Sequence, residues 1–201
     1  MQLNKVNEVN TTRALQHIWL SEGTTRVALA DELGLVKSTV SRIVSLLLEQ
    51  GIVREASAEQ GRAGVGRKPI RLEINESYGF VIGLEMQPDF FNAVAVDLRG
   101  ELLQSWTDSI SMSGKDTISA FTEILERLDP WISNQGSPLL GVGVATPGIV
   151  DQLNGVILQS NPLNVTSPVR FVENVRERVS VPVILENDAN CCCWGELVQR
   201  K

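Results

Sequence analysis

Apolar positions recur at helical spacing in three short blocks within residues 1–76. Ala14, Leu15, Ile18 and Trp19 form the first block, with Asn10-Thr11-Thr12 offering caps and Gly23 stopping the helix. Val27, Leu29, Ala30 and Leu33 form the second, capped by Thr24 or Thr25 and closed by Gly34. The third runs from Lys37 to Gln50, with Val40, Ile43, Val44, Leu47 and Leu48 on its buried side and Gly51 as its stop. The period then changes. Ile52–Glu55 reads as a short strand, Ala56–Gly66 as a polar hairpin tip, and Ile70–Ile74 alternates like a half-buried strand. Three helices followed by a two-stranded hairpin is the order of a winged helix-turn-helix, which is expected over residues 1–76.

Residues 77–201 follow a different rhythm. Phe80–Leu84, Phe91–Asp97 and Glu101–Ile110 read as strands, with a turn at Leu98-Arg99-Gly100. Thr117–Ile132 has the spacing of an amphipathic helix. Leu139–Ala145 is an apolar strand ending in the turn Thr146-Pro147-Gly148. A helix over Pro168–Val179, a strand over Val181–Leu185 and a helix over Asp188–Gln199 complete the pattern. Hairpin-linked strands followed by alternating helices and strands predict a layered α/β domain.

The segment Arg26–Val53 has the packing of a helix-turn-helix. Ala30 is small where two helices cross closely, and Gly34 permits the tight turn. The third helix offers Lys37, Ser38, Thr39, Ser41 and Arg42 near its N-terminus. Short hydroxyls let such a helix sit deep in a major groove, and the positive helix pole favours phosphate. Lys37 and Arg42 suit either a base edge or a phosphate. Val36 stands where a Ser or Asn cap is expected. After the hairpin tip, Gly64-Val65-Gly66-Arg67-Lys68-Pro69 cannot be helical, and Pro69 pushes Lys68 towards an extended conformation. With Arg62, Arg67 and Lys68 it reads either as a wing inserted in a minor groove or as a flexible basic linker.

Charge supports the division. The net charge of −6 argues against a nucleic-acid partner. Residues 1–76 nevertheless hold ten Lys/Arg and nine Asp/Glu, while residues 77–201 hold eight and fifteen. Seven basic residues fall between Lys37 and Arg71, as in a phosphate-binding footprint. No apolar run approaches the ~18 residues of a membrane span, and the polar N-terminus is no secretory signal. Consecutive Cys191, Cys192 and Cys193 match neither a disulfide framework nor a zinc motif. A reduced, cytoplasmic protein without a membrane partner is expected.

Two motifs of the second segment carry a resemblance. Gly141-Val142-Gly143-Val144-Ala145-Thr146-Pro147-Gly148 is a strand running into a Gly/Pro turn. Glu186-Asn187-Asp188-Ala189-Asn190, with Gly195-Glu196 one helix later, closes a strand with clustered polar groups. With the helix-turn-helix in front, the chain resembles the ROK family of repressors, open reading frames and sugar kinases. The resemblance implies a winged helix-turn-helix followed, over residues 77–201, by the first lobe of an actin-like, ribonuclease H-like sugar-kinase fold. It implies a sugar ligand held by Asn187 and Asp188, with Gly148 and either Asn161 or Asn164 contributing. In the family's kinases the Asp of this motif resembles a general base. Asn187-Asp188 also reads as a plain helix cap.

Departures from the pattern shape the functional expectation. The kinases' phosphate loop, D-x-G-G-T-K, is replaced by Glu85-Met86-Gln87-Pro88-Asp89-Phe90, which has neither loop glycine. A phosphate cradle needs free backbone N–H groups and close approach. No catalytic residue is therefore expected, and a regulator is favoured over a sugar kinase with an appended DNA-binding domain. The family continues beyond the Glu186–Glu196 motif with a second lobe and a His/Cys zinc site. Here the sequence ends at Lys201 and its one histidine is His17, so no cofactor is expected. Either the chain is a fragment or the second half has been lost, and a remnant blind to ligand is the third reading. The leading expectation is a sugar-responsive repressor that binds a double-stranded operator as a homodimer, with half-sites about one DNA turn apart.

Overall fold

Residues 2–21, 23–57, 70–111 and 114–199 are described by the structure, a computed structural model. The chain divides into two units, Met1–Tyr78 and Gly79–Lys201.

In the first unit, α1 (Gln2–Leu20), α2 (Arg26–Leu33) and α3 (Lys37–Glu49) stand with a small sheet of β1 (Thr24–Thr25), β2 (Val53–Ser57) and β3 (Ile70–Ile74). The antiparallel sheet has the order β1-β3-β2. Ile18, Leu29, Val44, Leu47 and Leu72 are buried in its core. Thr25 caps α2 by accepting from the Ala28 amide (3.2 Å), while Thr24 and Thr25 also pair with Leu72 and Arg71.

Three expectations for this unit need correcting. The helix α1 begins at Gln2, well before the Asn10–Thr12 caps. The Thr12 hydroxyl donates to the Glu8 carbonyl (3.0 Å), which satisfies it inside the helix. Trp19 and Val27 are exposed, because the helices turn Ala14, Ile18, Leu29 and Ala30 inward instead. The strand β2 runs on to Ser57, paired with Ile70, so the hairpin tip starts later than Ala56.

In the second unit, β4 (Phe80–Met86), β5 (Phe90–Asp97) and β6 (Leu102–Ser109) precede α4 (Thr117–Ile132). Next come β7 (Leu139–Thr146), β8 (Ile149–Asp151), β9 (Val156–Gln159), α5 (Phe171–Val175), β10 (Val183–Asn187) and α6 (Asp188–Gln199). The main sheet has the order β10-β7-β4-β5-β6, with β4, β7 and β10 parallel and β5 antiparallel to both neighbours. Period-two alternation turns Phe80, Ile82, Leu84 and Met86 of β4 into the core. There they meet Phe121, Ile124 and Leu128 of α4, and Phe171 and Val175 of α5. Phe121 and Phe171 pack edge to face at 5.2 Å. Asp116 caps α4 by accepting from the Ser119 amide (2.7 Å), which holds its carboxyl below the usual range.

The helix expected over Pro168–Val179 is confined to Phe171–Val175. Val169 exchanges both backbone hydrogen bonds with Ile157 (2.9 Å each), so the chain is strand-like until Arg170. The β8–β9 hairpin, absent from the sequence reading, occupies the stretch after Gly148.

Candidate functional site

The turn between α2 and α3 is fixed by backbone geometry. Gly34 is left-handed (φ 63°) and donates to the Asp31 carbonyl (3.3 Å), while the Leu35 amide reaches the Ala30 carbonyl (3.0 Å). This Schellman closure ends α2 and launches α3 at a set angle. Val36 starts α3 without a side-chain cap, so the Thr39 and Val40 amides rest on its carbonyl. Val40, Ile43, Val44 and Leu47 are buried. The opposite face shows Lys37, Ser38, Ser41 and Arg42 to solvent, with Thr39 half-buried on the flank. Ser45, one turn beyond Ser41, lies on that exposed face too. The sequence reading stopped short of it, although the 38-41-45 spacing signals it. Among the described residues, the side chains of Lys37, Ser38, Ser41 and Ser45 make no intramolecular hydrogen bond or ion pair.

Part of the basic charge expected of the footprint is paired with acids among the described residues. Arg54 pairs with Glu76 (2.8 Å) and Glu73 (3.4 Å), and Arg71 lies 3.6 Å from Glu73. Arg26 pairs with Glu55 (2.8 Å). The described arginines of the hairpin stem are thus paired with acids, and α3 places Lys37 and Arg42 at the surface. Arg62, Arg67 and Lys68 lie outside the described residues.

The second constellation lies at the carboxyl ends of β4, β7 and β10, where an open α/β sheet forms a crevice. Glu85, at the end of β4, accepts from Gln87 Nε2 (2.9 Å) through one oxygen and from Asn92 Nδ2 (2.8 Å) through the other. Thr107 donates to Asn92 Oδ1 (2.9 Å), extending the row to β6. Gln87 Nε2 also stands 3.5 Å from Asp188 Oδ2. The β4–β5 turn closes through the Gln87 amide and the Phe90 carbonyl (3.0 Å). A tight turn therefore occupies the stretch corresponding to the phosphate loop.

Asn187 and Gly148 come together there. Asn187 Nδ2 donates to the Gly148 carbonyl (2.8 Å), and its Oδ1 accepts from the Asn190 amide (3.2 Å). Asn187 is thus a clamp on the β7–β8 turn as well as the cap of α6. Gly148 has φ 119°, and a Cβ there would stand 2.3 Å from the Gln159 carbonyl oxygen. Its glycine is required by that backbone approach. Asn161 follows the buried Ser160, is exposed, and accepts from Gln159 (3.3 Å). Asn164 is left-handed (φ 55°). Glu186 accepts from the Asn187 amide (2.7 Å) and from Asn190 Nδ2 (3.0 Å). Burial pushes the Cys191 thiol up, with Glu186, Cys192, Asp188 and Glu85 adding to the effect. Among the described residues no group of three or more His, Cys, Asp and Glu is placed to hold a metal. None of the described helices is long and apolar enough to cross a membrane.

Comparisons with known proteins cover both units. A MarR family profile matches residues 9–63, and the ROK family profile matches residues 81–201. The xylose repressor of Bacillus subtilis (strain 168) is 28% identical over 194 residues, covering 96% of this chain and 50% of that protein. The xylose repressor of Staphylococcus xylosus is 28% identical over 197 residues, covering 94% and 49%. A glucokinase of Thermotoga maritima is 27% identical over 117 residues, 58% of this chain and 36% of the enzyme. Among solved structures, a ROK family transcriptional regulator described as a homolog of the E. coli MLC protein superposes with a TM-score of 0.75. It is 19% identical and covers 91% of this chain and 46% of its own, a likeness of fold. The chain spans about half the length of the curated relatives it matches. The winged helix-turn-helix followed by a ROK lobe agrees with the architecture expected from the sequence. Since the ROK profile covers more than half of the residues, the chain belongs to the ROK family.

Proposed function

We propose that the chain is the DNA-binding and part of the sensing portion of a sugar-responsive transcriptional repressor. The carrying observation is the exposed face of α3, where Lys37, Ser38, Ser41 and Arg42 stand over a fully apolar buried side. A slim face of hydroxyls with two cations suits a major groove: the cations for phosphate or guanine, the hydroxyls for either. Thr39 on the flank is placed for backbone contact. Residues 1–76 serve as the DNA-binding domain, with Arg62, Arg67 and Lys68 reaching a minor groove. Residues 77–201 serve as the ROK-type domain. The relatives named xylose repressors support this reading. In this reading the protein is a cytoplasmic homodimer whose two copies read the half-sites of a palindromic operator.

The sugar contacts assigned to the crevice are Asn187, Asp188, Gly148 and Asn161. Asn187 has one amide hydrogen and one oxygen lone pair left after its two hydrogen bonds, so capping and ligand binding coexist. The protein does not transfer phosphate in this reading and needs no cofactor. The Gln87-Pro88-Asp89 turn supports this, because it offers no glycine-rich run of amides to a nucleotide. Glu85, Glu186 and Asp188 also gather negative charge at the same end.

The test is a DNA-shift titration against the protein's own promoter at several salt concentrations. Affinity above that for random DNA, falling with salt, is expected. Equal affinity for both sinks the reading. Arg67→Ala is expected to weaken operator binding, and a coupled ATPase assay across a hexose panel is expected to show no turnover.

A further inference from the structure

Three carboxylates share the crevice at the carboxyl ends of β4, β7 and β10. Gln87 Nε2 joins two of them, donating to Glu85 Oε1 (2.9 Å) and standing 3.5 Å from Asp188 Oδ2. Glu85 and Asp188 are thus no farther apart than those two steps together. Glu186 stands across β7 from Glu85, since both pair with Ala145, and side chains in register share one face of a sheet. The Cys191 thiol responds to all three acids: burial pushes it up, and Glu186, Cys192, Asp188 and Glu85 push it further. Among the described residues no arginine or lysine forms an ion pair with any of them. Lys115 and Arg127 are held by Glu123, Arg127 also by Asp108, and Arg170 by Glu173.

Two features of this end could hold an anion, and the chain's own groups already occupy both. The first turn of α6 offers amides with the positive pole of the helix behind them. Glu186 Oε1 takes the Asn187 amide (2.7 Å), Asp188 Oδ1 the Ala189 amide (2.8 Å) and Asn187 Oδ1 the Asn190 amide (3.2 Å). The β4–β5 turn gives its Gln87 amide to the Phe90 carbonyl (3.0 Å). What is left for a ligand is rich in acceptors. Among the described residues Glu186 Oε2 accepts nothing, and Asp188 Oδ2 has only its long contact with Gln87. Thr146 ends β7 in register with Asn187, and its buried hydroxyl has no partner. Sugar hydroxyls can donate to such oxygens and also accept. A phosphate ester brings further acceptors and a charge of about −1.5 to −2 at neutral pH, which these carboxylates repel.

We propose that the crevice selects by charge: it admits uncharged sugars and rejects their phosphate esters, so that the chain responds to a sugar and not to the product of its phosphorylation. The proposal rests on the sugar-sensing reading of this site and adds the class of ligand to it.

Charged nitroxides test the field without any sugar. In ¹⁵N spectra of the 201-residue chain, a cationic nitroxide is expected to broaden the Gln87, Asn187 and Asn190 side-chain amides about twofold or more beyond an anionic one of the same shape. Equal broadening overturns the proposal.

Shift titrations then use a panel of aldohexoses and aldopentoses, their terminal phosphate esters and their terminal O-methyl ethers. The ester of any sugar that binds is expected to bind about 30-fold more weakly or worse, with the neutral ether within about threefold of the parent. Added salt should narrow the gap by about threefold or more. Glu85→Gln, which keeps both short hydrogen bonds at position 85, should narrow it by a similar factor. An ester that binds as tightly as its sugar overturns the charge selection and leaves the sugar reading standing. An ether rejected as strongly as the ester assigns the rejection to bulk and overturns the selection too. A chain that shows the field but binds neither sugar nor ester sinks the sugar reading, and the selection with it.

Discussion

The exposed face of α3 and the carboxyl end of the main sheet are both polar, yet they are built in opposite ways. On α3, the side chains of Lys37, Ser38, Ser41 and Ser45 have no hydrogen-bonding duty among the described residues. At the sheet end, both Glu85 oxygens, both ends of the Asn187 amide and one Glu186 oxygen are already engaged. The first surface presents groups that stability does not need. The second is a network whose members hold the fold, so a ligand must join it or displace part of it. Partly buried polar networks of that kind help to specify geometry, and half-satisfied ones destabilise. Mutations should therefore separate function from stability on α3 and couple them at the crevice.

The largest expected effect tests the first half of that contrast. Lys37→Glu combined with Arg42→Glu should lower operator affinity by about 100-fold or more at low salt. The melting temperature of the head should stay within a few degrees, about the scatter expected of surface changes. Gel shift and thermal melting read the two quantities. A large drop in melting temperature would mean that these side chains hold the head together.

At the crevice the order reverses. Asn187→Ala removes the clamp on Gly148 and the cap of α6. A loss of about 1–2 kcal/mol in the sheet unit is expected, read by urea unfolding through Trp106 and Trp131 fluorescence. Unchanged stability would mark Asn187 as a ligand contact alone.

The two regions also differed in how far the sequence revealed them. The face of α3 was legible because amphipathic period and the Gly34 turn both act within a dozen residues. Its limit was Ser45, which only the observed exposure brings into line with Ser38 and Ser41. The parallel strands were legible as apolar runs closed by turn residues. The hairpin β8–β9 was not, because Ile149–Asp151 is too short to show alternation. The extent of α1 was misjudged because Asn and Thr signal a cap or an interior back-bond equally well. Asn187 and Gly148 could be named from a motif, but their hydrogen bond joins residues 39 positions apart. The row Thr107–Asn92–Glu85–Gln87 depends on cross-strand register, which no local pattern encodes.

A smaller effect sharpens the α3 side. Ser45→Ala should reduce operator affinity by about threefold, the size of one neutral hydrogen bond, without altering stability. DNA titration beside Ser41→Ala gives the comparison. If Ser45→Ala binds like wild type, the footprint ends at Arg42.

The smallest effect comes from Glu85→Gln, and it follows from counting donors. The wild-type carboxylate accepts from Gln87 and Asn92, and Asn92 Oδ1 is held by the Thr107 hydroxyl. A glutamine at position 85 keeps its oxygen towards Asn92 and turns its amide to Gln87. Gln87 then flips to accept through its oxygen, giving up only its long 3.5 Å contact with Asp188. The two short hydrogen bonds at position 85 are kept, so stability should change by less than about 1 kcal/mol. Glu85→Leu keeps the bulk but leaves the Gln87 and Asn92 amides without their acceptor, and should cost about 2–3 kcal/mol. Urea unfolding of the two variants measures the gap. Equal stabilities would mean that the network is solvated rather than built, and the contrast between the two regions would fail on the side of the sheet.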